Sequence, residues 1–472
     1  MSLIDRIVLS VAPERGLKRV KARAAAQAIM NYDASSKGRR TYGWKAPGTG
    51  ADAAAGSSRA RMRNLSRDMI RNRPWAARAQ AVVTNNVIGT GIMPSVTMED
   101  PETDTEVTNI LRQHLMSPAI DSYGVHTIVG LQEQIMNAVF SDGEVLVRQR
   151  IRDRRFEKKL PLLMQVQVME ADHLDETLTS YGRNEVIEGI EYGPTGRIEA
   201  YHLFDRHPGD QSYWTKGKLT SSRIPAGQIL HIRRTERPGQ MRGVPWLAPV
   251  MMTLGELSDY QEAQILKQRV ASLLAYFIES EEDDPSYDGA SIAELAPGAI
   301  VGLKPGQKAT ASNPPKVDGY QEFMRQGLAA IAMGVGITFE SLSGDLRGVN
   351  FSSGKMGRME MDRMVQVWQQ VLIIQQFLDG MSRWLLDVWA LQAKTEPSMP
   401  PVPDKIDWTA QSRALIDPAK ETRADLDEIK GGLTSRSRKI RERGHDPDQI
   451  AKEIKEDLTR FGRSETEEGT AI

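Results

Sequence analysis

The strongest periodic pattern of apolar residues in this chain lies in its last third. Apolar side chains recur there at alternating spacings of three and four residues, at Met364, Val367, Val371, Ile374, Leu378, Met381, Leu385 and Val388. Residues at these spacings lie on one side of a helix, because a helix turns once in about 3.6 residues. The pattern predicts one long helix, with Gly380 as a candidate position for a kink.

Two further helices are predicted on either side of a segment rich in proline and glycine. The first covers about residues 247–279 and would be about 50 Å long at about 1.5 Å per residue. The second covers 319–340, with apolar residues at Met324, Leu328, Ile331 and Val335.

Three glycines, Gly327, Gly334 and Gly336, are unusual in the second of these helices. Each costs about 1 kcal/mol relative to alanine inside a helix. Close packing against a neighbouring helix would offset this cost. A helix that ends at Met333 is the alternative.

The first half of the chain mixes helical and strand patterns. We predict a basic helix over 14–31, a helix over about 60–87 that is interrupted near Pro74, and a helix over 127–140. The apolar stripe of the second helix would contain Leu65, Met69, Trp75, Ala79 and Val83. Strands are predicted at Glu144–Arg150, Leu162–Glu170, Val186–Tyr192, Ile198–Phe204 and Gln228–Arg233, and later at Gly298–Leu303 and Gln307–Ala311. The fold class is therefore α+β.

Residues 341–358 are predicted to form a flexible loop, because glycine and serine interrupt any regular period there. Gly348, Gly354 and Lys355 superficially resemble a phosphate-binding P-loop. That motif needs four residues between its glycines and a serine or threonine after the lysine. Here five residues intervene and Met356 follows, so we exclude nucleotide binding by this loop.

The C-terminal part is divided into short helices. Asp417-Pro418 and Asp446-Pro447 each place a capping carboxylate before a proline that starts a helix. Gly431-Gly432 and Gly444 separate three predicted helices. Residues 464–472 are predicted to be disordered.

Composition and charge narrow the class of protein. The chain has 472 residues, no cysteine and a net charge of −1. The absence of cysteine excludes disulfides and thiolate chemistry, and no apolar run is long enough to span a membrane. Residues 1–75 hold 16 Lys and Arg against 5 Asp and Glu, whereas residues 279–284 hold five acids in six positions.

One cluster of carboxylates could carry metal-dependent chemistry. Glu170, Asp172, Asp175 and Glu176 lie close in sequence and could bind two metal ions, as in nucleases. No other residues supply the remainder of such a site. We expect these carboxylates to pair with basic residues of other subunits or to face solvent, and we expect no enzyme activity, cofactor or metal.

Taken in order, several stretches resemble the lambda-type portal proteins of tailed bacteriophages, the head–tail connector family, along nearly the whole chain. They include Arg67-Asp68-Met69-Ile70-Arg71-Asn72, Asn86-Val87-Ile88-Gly89-Thr90-Gly91-Ile92, Asp142-Gly143-Glu144-Val145-Leu146-Val147-Arg148, Glu170-Ala171-Asp172-His173-Leu174-Asp175, Arg242-Gly243-Val244-Pro245-Trp246-Leu247-Ala248-Pro249, Asn350-Phe351-Ser352-Ser353 and Gly444-His445-Asp446-Pro447. Each stretch alone is a weak signal, and their shared order carries the resemblance.

The resemblance implies a ring-forming portal fold, with twelve copies at one capsid vertex. It implies a mixed α/β wing, a two-helix stem, a small β-containing clip and a helical crown. The corresponding ranges are a basic arm at 1–59, wing at 60–246 and 359–416, stem helices at 247–279 and 319–340, clip at 280–318, a tunnel loop at 341–358, crown at 417–463 and a disordered tail at 464–472.

The resemblance also implies a function and partners. The ring would form the channel through which double-stranded DNA is packaged and ejected, without sequence preference. Its partners would be the terminase large subunit, the major capsid protein or scaffold, and a head–tail adaptor, with no membrane. The protein would be found at the capsid vertex of the virion, and in the host cytoplasm during assembly.

Two groups of residues are predicted to serve these roles. The first should approach DNA from the tunnel loop: Arg347, Asn350, Ser352, Ser353 and Lys355. The second should face the terminase from the clip: Glu281, Glu282, Asp283, Asp284, Lys304 and Lys308. An ion pair between Arg347 and Asp345 within the loop is the alternative for the first group. A nuclease or protease, and a capsid or adaptor protein without a channel, are the alternative functions.

Overall fold

The computed structural model describes residues 47–96, 98–210, 220–272, 276–280, 307–311, 319–411, 417–443, 445 and 447–461, with a few isolated positions before residue 47. The chain divides into two units, residues 1–54 and 55–472. The predicted basic helix at 14–31, the strand at Gly298–Leu303, the cap at Asp446 and the tail at 464–472 lie wholly or almost wholly outside the described residues.

The described chain contains both helices and strands, and eight of the strands follow one another between α5 and α6. The helices are α1 (Ala51–Ala55), α2 (Arg59–Asn72), α3 (Pro74–Val87), α4 (Pro101–Leu115), α5 (Ile128–Asp142), α6 (Met251–Ser272), α7 (Tyr320–Val335), α8 (Phe339–Ser343), α9 (Phe351–Trp368), α10 (Asp379–Thr395), α11 (Pro418–Lys430), α12 (Arg436–Glu442) and α13 (Pro447–Phe461). The strands are β1 (Met93–Ser95), β2 (Glu144–Ile151), β3 (Met164–Glu170), β4 (Ser180–Tyr181), β5 (Asn184–Ile187), β6 (Ile190–Tyr192), β7 (Ile198–Phe204), β8 (Ser221–Pro225), β9 (Ile229–Arg233), β10 (Tyr276–Ser280), β11 (Gln307–Ala311) and β12 (Asp407–Thr409). The mixed helix and strand content confirms the predicted α+β class.

A three-stranded antiparallel sheet in the order β3-β2-β9 lies at the centre of the larger unit. One face of β2 carries Val145 and Val147, which are fully buried in the main core together with residues of α5. The other face carries Leu146, which belongs to a second, smaller core. This alternation follows from the two-residue period of a strand.

A second antiparallel sheet contains β4 to β8 in sequence order. The prediction of one strand over Val186–Tyr192 is wrong, because Glu188 and Gly189 form a two-residue turn between β5 and β6. Both have positive φ, 50° and 81°, as a type I′ hairpin turn requires. The predicted strands at Glu144–Arg150, Ile198–Phe204 and Gln228–Arg233 are confirmed to within a residue.

Helices α6 and α7 pack antiparallel. A Cβ built on Gly327 would lie 2.6 Å from Leu257 Cδ2, and one built on Gly334 would lie 2.3 Å from Val250 Cγ1. Tyr260 stacks on Tyr320 with ring centroids 5.8 Å apart. Close packing therefore explains the first two glycines, as predicted, and the packing partner is a helix of the same chain.

Both helices of this pair are shorter than predicted. Helix α6 ends at Ser272, and residues 276–280 form a strand instead, since aromatic and β-branched residues there favour an extended chain. Helix α7 ends at Val335, because Gly336 adopts φ 86° and its N–H caps the last turn. The strand predicted at Gln307–Ala311 is confirmed and pairs with β10.

The long C-terminal helical segment runs from Phe351 to Thr395, with a π-helical section at Gln369–Leu378 between α9 and α10. The predicted apolar stripe is wrong in its first half, because Met364, Val367 and Val371 are exposed. The buried positions there are Met361, Val365, Leu372, Ile373 and Phe377. The wider π-helical turn shifts the buried face, and the stripe from Leu378 onwards is buried as predicted.

Gly380 does not mark the irregularity in this segment. A Cβ on Gly380 would lie 2.4 Å from Leu230 Cδ2, so this glycine lets the helix lie against β9. The three predicted C-terminal helices are present as α11, α12 and α13, and Asp417 caps the first by accepting from the Lys420 N–H at 3.3 Å.

A buried histidine makes stability depend on pH. His114 of α4 is fully buried, and burial lowers its pKa to about 4. The unfolded chain binds a proton near pH 6.5, but the folded chain does not until about pH 4. This contribution to stability is complete above pH 6.5 and is lost progressively as the pH falls towards 4.

We therefore expect His114→Leu to flatten the acid limb of the stability curve. Wild type should lose up to about 3 kcal/mol more than the variant between pH 7 and pH 4. Denaturant unfolding followed by tryptophan fluorescence at a series of pH values measures this difference. Equal slopes for the two proteins would show that His114 is not responsible.

Candidate functional site

The predicted tunnel loop is much shorter in the structure. Residues 339–343 form α8 and residues from Phe351 onwards form α9, so only residues 344–350 connect them. Asn350 explains the early start of α9. Its side chain accepts from the Ser353 N–H at 2.8 Å, and Ser353 Oγ accepts from the Asn350 N–H at 3.2 Å. This capping box satisfies two backbone donors at the start of the helix.

The same contacts constrain the predicted DNA-facing residues. Asn350 and Ser353 are occupied by the capping box, and Ser352 is exposed on the first turn of α9. Lys355 Nζ lies 3.7 Å from Glu421 Oε1 of α11. The prediction that residues 351–358 belong to a flexible loop is wrong, because a reciprocal cap stabilises helix there.

Arg347 pairs with Asp345, as the alternative interpretation stated. Arg347 Nε and Nη2 each lie 2.9 Å from a carboxylate oxygen of Asp345. The hydrogen bond from Arg347 lowers the pKa of Asp345 to about 2, so the pair remains ionised near neutral pH. The Arg347 side chain is nevertheless 73% exposed. The loop therefore presents a cation whose charge a neighbour partly compensates.

A cavity of about 450 Å³ lies beneath this loop. Leu346 and Val349 line it from the loop, and Asn85 and Gly89 line it from the end of α3. Arg358 and Gln369 close it from the long helical segment. The loop thus rests over a space with both polar and apolar walls.

Of the residues predicted to face the terminase, the structure describes only Lys308. Glu281, Glu282, Asp283, Asp284 and Lys304 lie outside the described residues. Lys308 belongs to β11, where its Cα is paired in register with Glu279 of β10. The structure thus places one predicted position on the strand pair that lies between α6 and α7 in the chain.

A buried ionic network that the sequence did not reveal centres on Glu144. This residue is fully buried at the start of β2. Its carboxylate accepts from Arg242 Nε at 2.9 Å, from the Gly243 N–H at 2.7 Å, and lies 2.9 Å from His231 Nε2. Burial alone would raise the pKa of Glu144, but the charge of Arg242 lowers it well below its usual range. Burial also lowers the pKa of His231.

Helix α2 contributes three arginines to this network. Arg59 pairs with Glu188, Arg63 Nη2 lies 3.0 Å from Asp172 Oδ1, and Arg67 Nη2 lies 2.5 Å from Asp142 Oδ2. Residues four apart share one face of a helix, so the spacing of these arginines was the signal that could have predicted the network. The predicted apolar stripe is wrong at Leu65, which is 41% exposed, while Arg59 and Arg63 are buried. The other positions of the stripe are fully buried or pack against the core: Met69, Trp75, Ala79 and Val83.

The predicted carboxylate cluster lies at the edge of the same network. Glu170, Asp172 and His207 place one ligand atom each within 4.8 Å of one another. Arg67 Nη2, however, lies 2.6 Å from Asp172 Oδ2 and 3.1 Å from Glu170 Oε2. A guanidinium therefore already supplies the positive charge that a cation would bring. These basic partners belong to the same chain, whereas the expectation named residues of other subunits or solvent, and Glu170 is 50% exposed to solvent.

The described helices contain no segment that is both long and apolar enough to cross a membrane.

Residues 37–369 match the family model described as phage portal protein, lambda family. The class is that of the phage portal proteins, which are structural proteins of the phage head. Since the match spans most of the chain, this protein belongs to the lambda family of phage portal proteins.

Individual relatives agree with this assignment. A probable portal protein of Halomonas phage phiHAP-1 is 26% identical over 85% of this chain and 80% of its own length. The portal protein of Escherichia phage N15 is 21% identical over 90% and 88%. Portal protein B of Escherichia phage lambda is 23% identical over 58% of each chain.

The solved structures that resemble this chain include two of low sequence identity. One from the virion of a native gene transfer agent particle has a TM-score of 0.49 and 13% identity, with 82% of this chain and 94% of the other covered. A portal protein of the HK97 family from Corynebacterium diphtheriae has a TM-score of 0.34 and 9% identity, with 74% and 95% covered.

Proposed function

We propose that this portal protein assembles into a dodecameric ring at one capsid vertex, and that the ring is the channel for packaging and ejecting double-stranded DNA. The terminase large subunit would dock on the ring during packaging, and a head–tail adaptor would replace it. The major capsid protein or scaffold would surround the ring. The protein would thus pass from the host cytoplasm into the virion.

The antiparallel helix pair carries this proposal. Helices α6 and α7 are joined through β10 and β11 at one end, and α7 leads through α8 into the loop 344–350 at the other. We assign the helix pair to the stem, the strand pair and residues 280–318 to the clip, and α11 to α13 to the crown. Residues 60–246 and 359–416 then form the wing.

The loop 344–350 has properties suited to a sliding contact. Duplex DNA carries one negative charge per about 1.7 Å of its axis, so a strongly basic lining would hold it. Arg347 is exposed but partly compensated by Asp345, which weakens its attraction for a phosphate. Ser352, exposed on the first turn of α9, could donate to phosphate oxygens without reading sequence. The Ser353 hydroxyl already donates to the Asn350 carbonyl in the capping box, so a phosphate contact by Ser353 would require that bond to open.

The same assignment places a second set of contacts in the clip. Six residues of the clip would face the terminase: Glu281, Glu282, Asp283, Asp284, Lys304 and Lys308. An acidic surface near the channel entrance would also repel DNA that is not aligned with the axis.

Electron microscopy of the purified full-length protein tests the ring. We expect particles with twelvefold symmetry and a central channel wide enough for duplex DNA. A capsid or adaptor protein without a channel would give no such opening, and that result would refute the proposal.

A variant of the loop tests the DNA contact. We expect Arg347→Ala, alone and with Lys355→Ala, to reduce the length of DNA retained in particles while leaving ring assembly unchanged. Quantitative gel analysis of packaged genomes measures this length.

Arg155→Ala is a matched control for the loop variant. Arg155 is 81% exposed and pairs with an aspartate two residues earlier, Asp153, as Arg347 does with Asp345. Genome length should be normal in this control. If the Arg347→Ala variants also retain DNA of wild-type length, the loop does not contact DNA.

A further inference from the structure

Three arginines occupy alternate positions along β2 and the residue that follows it. Arg148 and Arg150 belong to β2, and the Arg152 N–H continues the pairing by donating to the Leu163 carbonyl at 2.8 Å. Alternate residues of a strand lie on the same face, about 6.7 Å apart. All three side chains are half-buried. We call this row the arginine ladder.

The ladder carries charge that nearby carboxylates do not match. In the part of the chain that the structure describes, no carboxylate forms an ion pair with any of the three, although Asp205 is near enough to oppose the fall in the pKa of Arg148 and Arg150. The acceptors of two of them are neutral amides: Arg150 Nε donates to Gln167 Oε1 at 2.8 Å, and Arg152 Nε donates to Gln165 Oε1 at 2.7 Å. Burial, followed by the positive charges of its two neighbours in the ladder, lowers the pKa of Arg150.

The arginines of the buried network around Glu144 differ from those of the ladder, because they pair with carboxylates. Arg63 and Arg242 are more deeply buried than the ladder, and each lies beside carboxylates. The two glutamines orient the ladder guanidiniums but do not neutralise them. A row of aligned, mutually repelling cations would therefore be stabilised by an acidic group that binds over it.

The surroundings of the ladder favour a protein partner over nucleic acid. Gln167 donates to the hydroxyl of Tyr123 at 2.7 Å, and the Tyr123 side chain is 67% exposed. Val125, two residues further on, is 65% exposed. Tyrosine and arginine are enriched where proteins bind proteins. Both also contact DNA phosphates, whereas an exposed apolar side chain such as Val125 has no role in such contacts and favours a protein partner.

We propose that the arginine ladder is a docking surface for an acidic, extended segment of a partner protein. An extended segment with carboxylates at alternate positions repeats them at the same spacing of about 6.7 Å. Each guanidinium can then bind a carboxylate through two parallel hydrogen bonds. Tyr123 and Val125 would contact apolar side chains of the same segment. This proposal concerns the three-stranded sheet and does not depend on the loop or on ring formation.

Fluorescence anisotropy with defined peptides tests the proposal on the full-length protein. The ligand is a short labelled peptide that alternates glutamate and valine. We expect it to bind, and we expect Arg148→Gln, Arg150→Gln and Arg152→Gln together to weaken binding at least about tenfold. The corresponding lysine variants keep the charge but lose the paired hydrogen bonds, so their affinity should fall between the two.

Two comparisons distinguish docking from general charge attraction. Lys452→Gln, Lys455→Gln and Arg460→Gln remove the same charge from exposed positions of α13, and binding should be unchanged. An isomeric peptide with its glutamates consecutive should bind more weakly than the alternating one. Equal binding of the isomers, or equal loss in the α13 variant, would overturn the proposal.

A short DNA duplex serves as the competing ligand. If the duplex binds through the ladder and the alternating peptide does not, the surface contacts nucleic acid instead. Unfolding midpoints of the glutamine and lysine variants show whether each remains folded, and the lysine variant keeps the test decisive if the glutamine variant does not.

Discussion

Glu144→Gln should destabilise the protein by about 3 kcal/mol or more. Glu144 is fully buried and its carboxylate faces Arg242, whose side chain is only 2% exposed. Removing one partner of a buried pair typically costs about 3–5 kcal/mol. Arg242 would keep only the more exposed Glu176 and Glu188 as partners, at 3.1 and 3.2 Å. The glutamine also keeps too few acceptors for the Gly243 N–H and both arginine donors. Denaturant unfolding followed by tryptophan fluorescence measures the loss.

Glu170→Gln is the matched control for this prediction. Glu170 belongs to the same network through Arg67, but its side chain is 50% exposed. Solvent-exposed ion pairs contribute about 1 kcal/mol or less, so the unfolding midpoint should change little. Comparable losses in the two variants would mean that burial does not determine the effect.

Gly143→Ala should prevent normal folding of the region that joins the first sheet to the helix pair. Gly143 has φ 88°, and a Cβ there would lie 2.2–2.4 Å from backbone atoms of Val244. Backbone atoms cannot move aside as a flexible side chain can. A side chain at Gly243 would clash with the same segment, since its Cβ would lie 2.2 Å from the Gly143 carbonyl oxygen. We expect a loss of at least about 3 kcal/mol for either alanine variant.

Gly196→Ala separates the effect of φ from the effect of close approach. Gly196 has φ 75°, but a Cβ added there would have no neighbouring atom within 4 Å. Its substitution should cost only about 1 kcal/mol, the usual penalty for a side chain in the left-handed region. Soluble yield and thermal midpoint, compared among the three variants, test this ranking. A Gly143 variant as stable as the Gly196 variant would contradict it.

These two predictions concern one junction. Glu144 is the first residue of β2, and Gly143 precedes it. Both contact the segment that contains Arg242 and Gly243, which lies shortly before the helix pair. The Trp246 indole N–H then donates to the Val335 carbonyl at 2.9 Å, at the end of α7. The buried charges and the two facing glycines thus fix where the helix pair leaves the sheet. In a ring, that position would determine the orientation of every stem.

Local patterns were sufficient for elements whose signals lie within a few residues. Pro74 divides α2 from α3, and Asp417-Pro418 starts α11, because proline and a capping carboxylate act through the adjacent backbone. The alternation in Glu144–Arg150 predicted β2 to within a residue. The end of α7 at Gly336 was missed, although its signal is equally local, because the apolar period was followed past the glycine.

The structure of the loop and the partners of the charged groups depend on contacts that the sequence does not reveal. Asn350 and Ser353 were expected to meet phosphates, but their nearest partners are each other's backbone groups. Met364 and Val371 have the right spacing for a core stripe, yet the π-helical section leaves them exposed. A pattern read with the α-helical period cannot reveal that part of the helix has the longer π-helical period.

By itself, the sequence determined the α+β class, most element positions, the close helix packing at Gly327 and Gly334, and the order of stretches that resembles the portal family. These features depend on short-range backbone preferences and on the order of residues. Only the tertiary structure decided that Arg59 and Arg63 are buried and that the carboxylates around Asp172 pair within the chain. It also decided that Arg148, Arg150 and Arg152 form no ion pair among the described residues. The physical reason is that the energy of a charge depends on its surroundings, and residues far apart in sequence supply those surroundings.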